Sequence, residues 1–457
     1  MNLFQLLFKQ MRQRALGTTL TMLSVVLGVG LATSIMLLYH AGDTLFGQSD
    51  YGYDVLVGIK GSPITLTLNT IYQLEASQGL ISRSVYELLQ TKYRSYVKIA
   101  VPYTVGDTYK GVYRIIGTMP KLFGFDDQTG QPLPPERVLE YRPGLSYQIA
   151  QGRVFGADKF EAVIGSEVAS KTGLKIGDTF QATHGTATGG PAEVHKQHWT
   201  VVGILAPTHT ASDRVLFIGM TSFYTVTAHG FGLWAAYKTA HPDAVLPPEP
   251  TGDEPDYALD SNGNIHLALP RQMLAISAVL VKSRGGVTGA DLIYAVNNGG
   301  VGAEAMAINP ASTMRDFFST FFAPTRTVLL IIALLVNLVA AMGILVSIYN
   351  SVSARMREIA ILRALGATRQ RVLVLICAEA VFIGLVGGLL GLLLGHLMSA
   401  IASAIMVQTL GQSFDWWTVG ADQLIYWAVV VVIALLAGLV PALKAYSVPV
   451  ATNLVVT

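Results

Sequence analysis

The chain has 457 residues, 51% of them hydrophobic and only 13% charged, with mean hydropathy +0.47 and a formal net charge of +2. A soluble domain carries about 25% charged residues, so the composition excludes an ordinary soluble protein, and the near-neutral balance gives no ground for nucleic-acid binding. Cys377 is the only cysteine, so no intramolecular disulfide can form and any extracytoplasmic part relies on its own core.

Residues 1–17 read as a cytoplasmic amphipathic helix. Leu3, Leu6, Leu7 and Met11 recur at helical spacing, with basic residues toward the end, a pattern that suits the inner surface of a bilayer. A first span follows at 18–39, with its apolar run at Leu20–Tyr39. It exceeds the apolar stretch of about 7–15 residues of a cleavable signal, and no small-x-small site follows it.

Residues 40–322 are rich in strand signals. Tyr53–Ile59, Val97–Thr104 and Val112–Gly117 carry β-branched and aromatic residues. Ser82–Leu89 reads as a helix. Ala162–Phe180 reads as a strand, a short helix stopped at Gly173, and a Gly177-Asp178 turn into the next strand. Trp199–Leu205, Val215–Ile218 and Ile276–Lys282 read as further strands, with a helix near Asp291–Asn297. Two inserts interrupt the pattern: Thr183–Lys196, rich in Gly, Thr and His, and Ala240–Gly263, rich in Pro, Asp and Glu.

Three more apolar segments are long enough to cross a bilayer, which takes about 20 residues. They lie at 328–349, 372–407 and 424–443. The middle one would measure about 50 Å as a single helix, against a hydrocarbon core of about 30 Å. It must tilt, break near Gly387-Gly388, or project past the bilayer. Residues 408–422 form a short outer loop and 444–457 a cytoplasmic tail.

Lys and Arg placement sets the orientation. Lys9, Arg12 and Arg14 precede the first span, and Lys444 follows the last. Arg355, Arg357, Arg363, Arg369 and Arg371 crowd the loop at 351–371, whereas the loop before the fourth span has only Asp415 and Asp422. Both termini and the Arg loop are therefore expected in the cytoplasm, and 40–322 outside. The fold class is an α-helical membrane protein with four transmembrane helices and an α+β extracytoplasmic domain between the first and second spans.

The Arg loop has more structure than topology requires. A helix ending at Gly366 presents Ile361, Leu362 and Leu365 as an apolar face, with Arg357 and Arg363 flanking it. Such a helix suits a groove in a partner protein. Gly384, Gly388, Gly391 and Gly395 recur at spacings of four, three and four, so they share a helix face that another helix can approach. Glu379 falls inside the third span, where a carboxylate needs a partner; like Asn337 and His396, it reads as a helix-packing contact. Gly42–Ser49 approximates a phosphate loop but lacks its lysine, so ATP hydrolysis is not expected of this chain. Seven of the nine histidines, among them His195 and His198, lie between 184 and 266. Imidazoles are zinc and copper ligands, and His195-x-x-His198 would bring two together if helical. The flanking chain reads as strand or loop, and scattered surface histidines are the plainer reading.

Arg357-Glu358-Ile359-Ala360-Ile361-Leu362-Arg363-Ala364-Leu365-Gly366-Ala367-Thr368 resembles the coupling segment of FtsX/MacB-type permeases, the type VII class of ABC transporters. Glu379-Ala380, the glycines that follow, Gly438-Leu-Val-Pro441-Ala442 and Pro449-Val450 extend the resemblance, as does the series Gly165, Gly177-Asp178, Val202-Gly203-Ile204 and Asp213-Arg214. The four-span layout matches too. Leu454 comes one residue late after Pro449, and the two inserts depart from the usual pattern.

The resemblance implies a non-catalytic permease in the inner membrane. It implies a separate ABC ATP-binding subunit carrying ATP and Mg, and a second permease copy or paralogue. A periplasmic adaptor or substrate-binding protein would be a further partner, and nucleic acid is not among them. The family implies mechanotransmission: ATP-driven motion enters at Arg357, Glu358, Ile361, Leu362, Arg363, Leu365 and Gly366 and reshapes the outer domain, driving export or extraction of a substrate. The alternatives are a regulator of a cell-wall hydrolase, a zinc-linked ABC system and a membrane-bound enzyme. The last has no motif in its favour.

Overall fold

A computed structural model describes residues 15–46, 51–74, 77–184, 194–226, 257–270, 273–299, 304–354, 356–364, 366–410 and 414–446, with Arg12, Gly302 and short pieces between 233 and 249. The expected amphipathic helix lies outside these residues apart from Arg12 and 15–17, as do Pro449-Val450, Leu454 and much of both inserts. The chain divides into two compact units. One gathers the apolar helices; the other is the intervening domain, 47–317.

The helical unit contains α1 (Ala15–Phe46), α2 (Ala323–Ala354), α3 (Met356–Ala364), α4 (Arg369–Leu410) and α5 (Ala421–Tyr446). All but α3 are long and apolar enough to cross a membrane. Residues 15–17 belong to α1 itself, which also runs past residue 39 to Phe46. α4 is an unbroken helix of 42 residues, about 63 Å at 1.5 Å per residue, so Gly387-Gly388 does not interrupt it. A π-helical turn, Phe318–Phe322, precedes α2.

Large side chains such as Leu20, Leu23, Val339, Met342 and Leu393 are exposed on the helices, whereas Val29, Ala340, Ala380, Ala434 and Ala442 are buried between them. Large apolar outside and small inside is the pattern of helices solvated by lipid. Both ends are pinned by polar contacts. At one end His40 Nε2 lies 3.1 Å and Arg326 3.6 Å from Asp422 Oδ2, and the Arg326 guanidinium sits 4.6 Å from the Tyr39 ring centre. At the other, Lys444 stacks 3.9 Å from the Tyr349 ring and Arg369 5.6 Å from Tyr446.

The second unit is built on ten strands: β1 (Val55–Ile59), β2 (Val97–Tyr109), β3 (Tyr113–Thr118), β4 (Ile149–Gly152), β5 (Glu161–Ile164), β6 (Thr179–His184), β7 (Val194–Leu205), β8 (Val215–Gly219), β9 (Ala278–Ser283) and β10 (Ala305–Ile308). The long strand β2 serves two sheets. Its first part pairs with β9, which continues to β1 and β10. Its last part pairs with β3 on one side and β6 on the other. From β3 the pairing runs through β8, β5 and β7 back to β6, so six strands close into a ring, with β4 added on β7. A bulge between Val105 and Asp107, at Gly106, marks the change of partner along β2. Bulges of this kind bend a strand and re-aim its side chains.

Trp199 on β7 is fully buried, stacks with Phe180 on β6 and donates its indole N–H to Ser222 Oγ at 2.9 Å. Helix Arg83–Gln90 adds Val85, Tyr86 and Leu89 to the core, and helix Thr288–Asn298 adds Leu292 and Val296. The short helix Ser166–Thr172 stops at Gly173, φ +76°, where a side chain would be strained. Helix Pro63–Thr70, capped by Ser62 with Pro63 in its first turn, is an addition to the elements expected from sequence.

Lys121 is a largely buried cation of this domain, its side chain 13% exposed. Its ammonium lies 3.9 Å from Asp127 and over the Tyr86 ring. Burial pulls it down to about 8 and pushes the Asp127 carboxyl up. Between about pH 8 and the ordinary lysine value near 10.4, the unfolded chain therefore holds the proton more tightly, and this group's contribution to stability rises with pH. The difference in thermal midpoint between wild type and Lys121→Met should grow in favour of wild type from pH 8 to pH 10. A difference that stays flat across this window removes the buried ammonium as its source.

Candidate coupling surface

α3 packs on the helical unit by one face only. Ala360 is fully buried, and Met356 and Ile359 lie against the apolar core formed by Ile348, Val352, Val372 and Ile376. Arg357, Glu358, Ile361 and Ala364 are exposed. At about 100° per residue these four fall on one side of the helix, and Met356, Ile359, Ala360 and Arg363 on the other.

This corrects the expected rim. Arg363 sits about 200° around the helix from Ile361; it is half-buried and engaged in a contact. Arg357 and Glu358 flank Ile361 instead. Leu362 follows Ile361 on the helix, but its side chain, like the whole of Leu365 and Arg355, falls outside the described residues.

The turn after α3 is tightly specified. Gly366 has φ +99°, a left-handed conformation that favours glycine, and donates its N–H to Arg363 O at 3.1 Å. Thr368 then caps α4, its hydroxyl accepting from Arg371 N at 3.3 Å. The turn joins the exposed helix to α4 within a few residues.

The glycine stripe of α4 meets two neighbours in turn. A Cβ on Gly384 would lie 2.9 Å from Ala434 Cβ, and one on Gly388 2.2 Å from Trp427 Cδ1, both on α5. A Cβ on Gly391 would lie 2.6 Å from Val29 Cβ, and one on Gly395 2.5 Å from Thr33 Cβ, both on α1. Gly438 of α5 in turn admits Ala380 of α4, at 2.5 Å from its absent Cβ.

Three polar residues expected as packing contacts are buried or half-buried in the helical unit. Asn337 Nδ2 donates to Ala333 O at 2.9 Å and to Tyr426 OH at 3.1 Å. His396 meets Trp416 O at 2.6 Å and Gln423 Oε1 at 3.1 Å. Glu379 is buried and holds a contact of its own.

His195 and His198, a metal pair only if helical, lie on a strand and do not come together. Both lie on β7, where residues three apart point to opposite faces; His195 is buried and His198 exposed. His195 meets Asp107 and His184 instead. Sequence reasoning passed over Asp107. Its only signal was the glycine before it, since a lone glycine in a strand pattern marks a bulge.

Two family models cover most of the chain. Residues 18–245 match the MacB-like periplasmic core domain, and residues 330–450 match the FtsX-like permease C-terminal. The chain belongs to the FtsX/MacB-type permeases. A search of curated proteins found no match. FtsX/MacB-type permeases are non-catalytic transmembrane subunits of ABC-transporter type, and membership implies an ABC ATPase as partner. With its four apolar helices, this permease is a multi-pass membrane protein.

In this permease Gly388→Leu must displace Trp427, and overpacking of this kind costs about 1–3 kcal/mol. The thermal midpoint of the detergent-solubilised protein should fall by several degrees. Leu389→Phe, one residue on and exposed, should leave it unchanged. Equal midpoints for both variants would remove the glycine contact as a packing determinant.

Proposed function

We propose that this permease transmits mechanical work from an ATP-binding subunit to its outer domain across the membrane. Two copies, or this chain and a similar one, pair with two ATPases at the inner membrane, with 40–322 on the outer side. ATP and Mg belong to the ATPase. The substrate is one already outside, which the outer domain expels or extracts, with an adaptor or substrate-binding protein as a further partner. The spans support this reading, since Asn337, Glu379 and His396 within them are buried or half-buried and hold contacts there.

One observation carries the proposal: α3 is anchored by one face and bare on the other. The bare face has an apolar centre at Ile361 with Arg357 and Glu358 beside it, a composition suited to a groove with a polar rim. Force applied there reaches α4 through the Gly366 turn.

Ile361→Asp tests it. Burying an unpaired carboxylate at the contact should cost about 2 kcal/mol or more, roughly thirtyfold in affinity. Co-purification of the ATPase and permease-stimulated ATP hydrolysis should both be lost, while permease levels in the membrane stay normal. Arg357→Ala should act more mildly and mainly through salt dependence. Arg371→Ala, past the turn, should be neutral. ATPase binding and stimulation that survive Ile361→Asp would show that this face is not the coupling surface.

A further inference from the structure

The outer domain brings one carboxylate and two imidazoles together at the seam of its six-strand ring. Asp107 follows the Gly106 bulge in β2, His184 ends β6 and His195 begins β7. Asp107 and His184 are a register pair, and this short pairing of β2 with β6 closes the ring. The three residues come from three strands, and Asp107 is far in sequence from the two histidines.

Asp107 Oδ1 lies 3.3 Å from His195 Nε2 and 3.4 Å from His184 Nδ1. The three candidate donor atoms all fall within 4.8 Å of one another. The two rings stand 5.7 Å apart at 79°, so they converge on the carboxylate without stacking. The two N–O separations allow more than one reading, that between His195 and Asp107 being within hydrogen-bond reach. They match the spacing between donors on a tetrahedral zinc ion: with bonds of about 2.0–2.1 Å, the edge of the tetrahedron is about 3.3–3.4 Å.

We propose that Asp107, His184 and His195 form a divalent metal site with zinc as its ion. Two imidazoles and one carboxylate are a borderline donor set that favours zinc over magnesium or calcium, which prefer oxygen. Asp107 and His195 are buried, with side chains 2% and 5% exposed, whereas the His184 side chain is 54% exposed. The buried pair fixes the ion's position, and the exposed ligand lets it exchange. Three protein donors leave a fourth position for water or for a group supplied by a partner, as in zinc sites that handle a ligand. Gln181 donates to His195 O at 2.9 Å, which holds the β6–β7 pairing beside the site. A bound ion would staple β2, β6 and β7 where the ring closes on its shortest pairing. The assignment is independent of the coupling surface on α3.

The test is zinc binding by the full-length permease in detergent after chelator treatment. Zinc is titrated in competition with a chromophoric chelator, and cobalt is substituted to report geometry by its visible spectrum. One ion per chain is expected, with the intense bands of tetrahedral cobalt. His184→Ala and His195→Ala should each weaken zinc binding by about tenfold or more, since even outer-shell changes cost 10–100-fold, roughly. His198→Ala and His266→Ala should bind as wild type. His184→Ala alters an exposed side chain, so its metal-free thermal midpoint should equal that of wild type. Zinc should raise the midpoint of wild type but not of this variant. Absence of saturable zinc binding, or binding unchanged in a His184→Ala/His195→Ala double variant, would overturn the site.

Discussion

The membrane unit depends on the approach of α4 to α1 and α5 at positions with no Cβ. Hydrocarbon gives helices no hydrophobic reason to associate, so contact must come from close packing and a few hydrogen bonds. Gly384 and Gly388 admit α5, Gly391 and Gly395 admit α1, and Gly438 admits Ala380 from the opposite side. One helix thereby touches both neighbours along a single stripe. His396 adds a directional bond between α4 and α5, and Asn337 one between α2 and α5. Helices packed this tightly shift together rather than deforming separately.

That property gives α3 its place in the proposed mechanism. Its inner face rests on the same core through Ala360 and Ile359, and the Gly366 turn ties its end to the first residues of α4. A displacement of the bare face has a short covalent path into α4. In the outer domain, β2 has a comparable position, because one strand belongs both to the open sheet and to the ring. The Gly106 bulge lies on the strand that the two sheets share, and Asp107 stands immediately after it.

The spans were legible in the sequence because they follow from a local quantity, hydropathy. Val97–Thr104 and Val215–Ile218 were legible as strands because β-branched and aromatic residues cluster there, and Gly173 as a stop because only glycine fits the turn easily. The closed ring was not legible: it rests on the pairing of β2 with β6, some 75 residues apart, and no local pattern encodes such a contact. The face of α3 was half legible. Helical spacing places Arg363 opposite Ile361, but which side rests on the membrane core is a tertiary fact. The histidines show the same division, since His195 belongs with Asp107 and His184 through strand register, while its neighbour in sequence, His198, points elsewhere.

The central claim is that motion enters at the exposed face of α3 and reaches the outer domain. Hydrogen exchange measures this most directly, on the permease reconstituted with its ATPase in lipid nanodiscs, with and without ATP. ATP should change amide exchange in the outer domain of the wild type, and Ile361→Asp should abolish that change while leaving exchange without ATP as it was. An outer domain whose exchange ignores ATP while hydrolysis proceeds, or responds equally in the variant, would contradict the account.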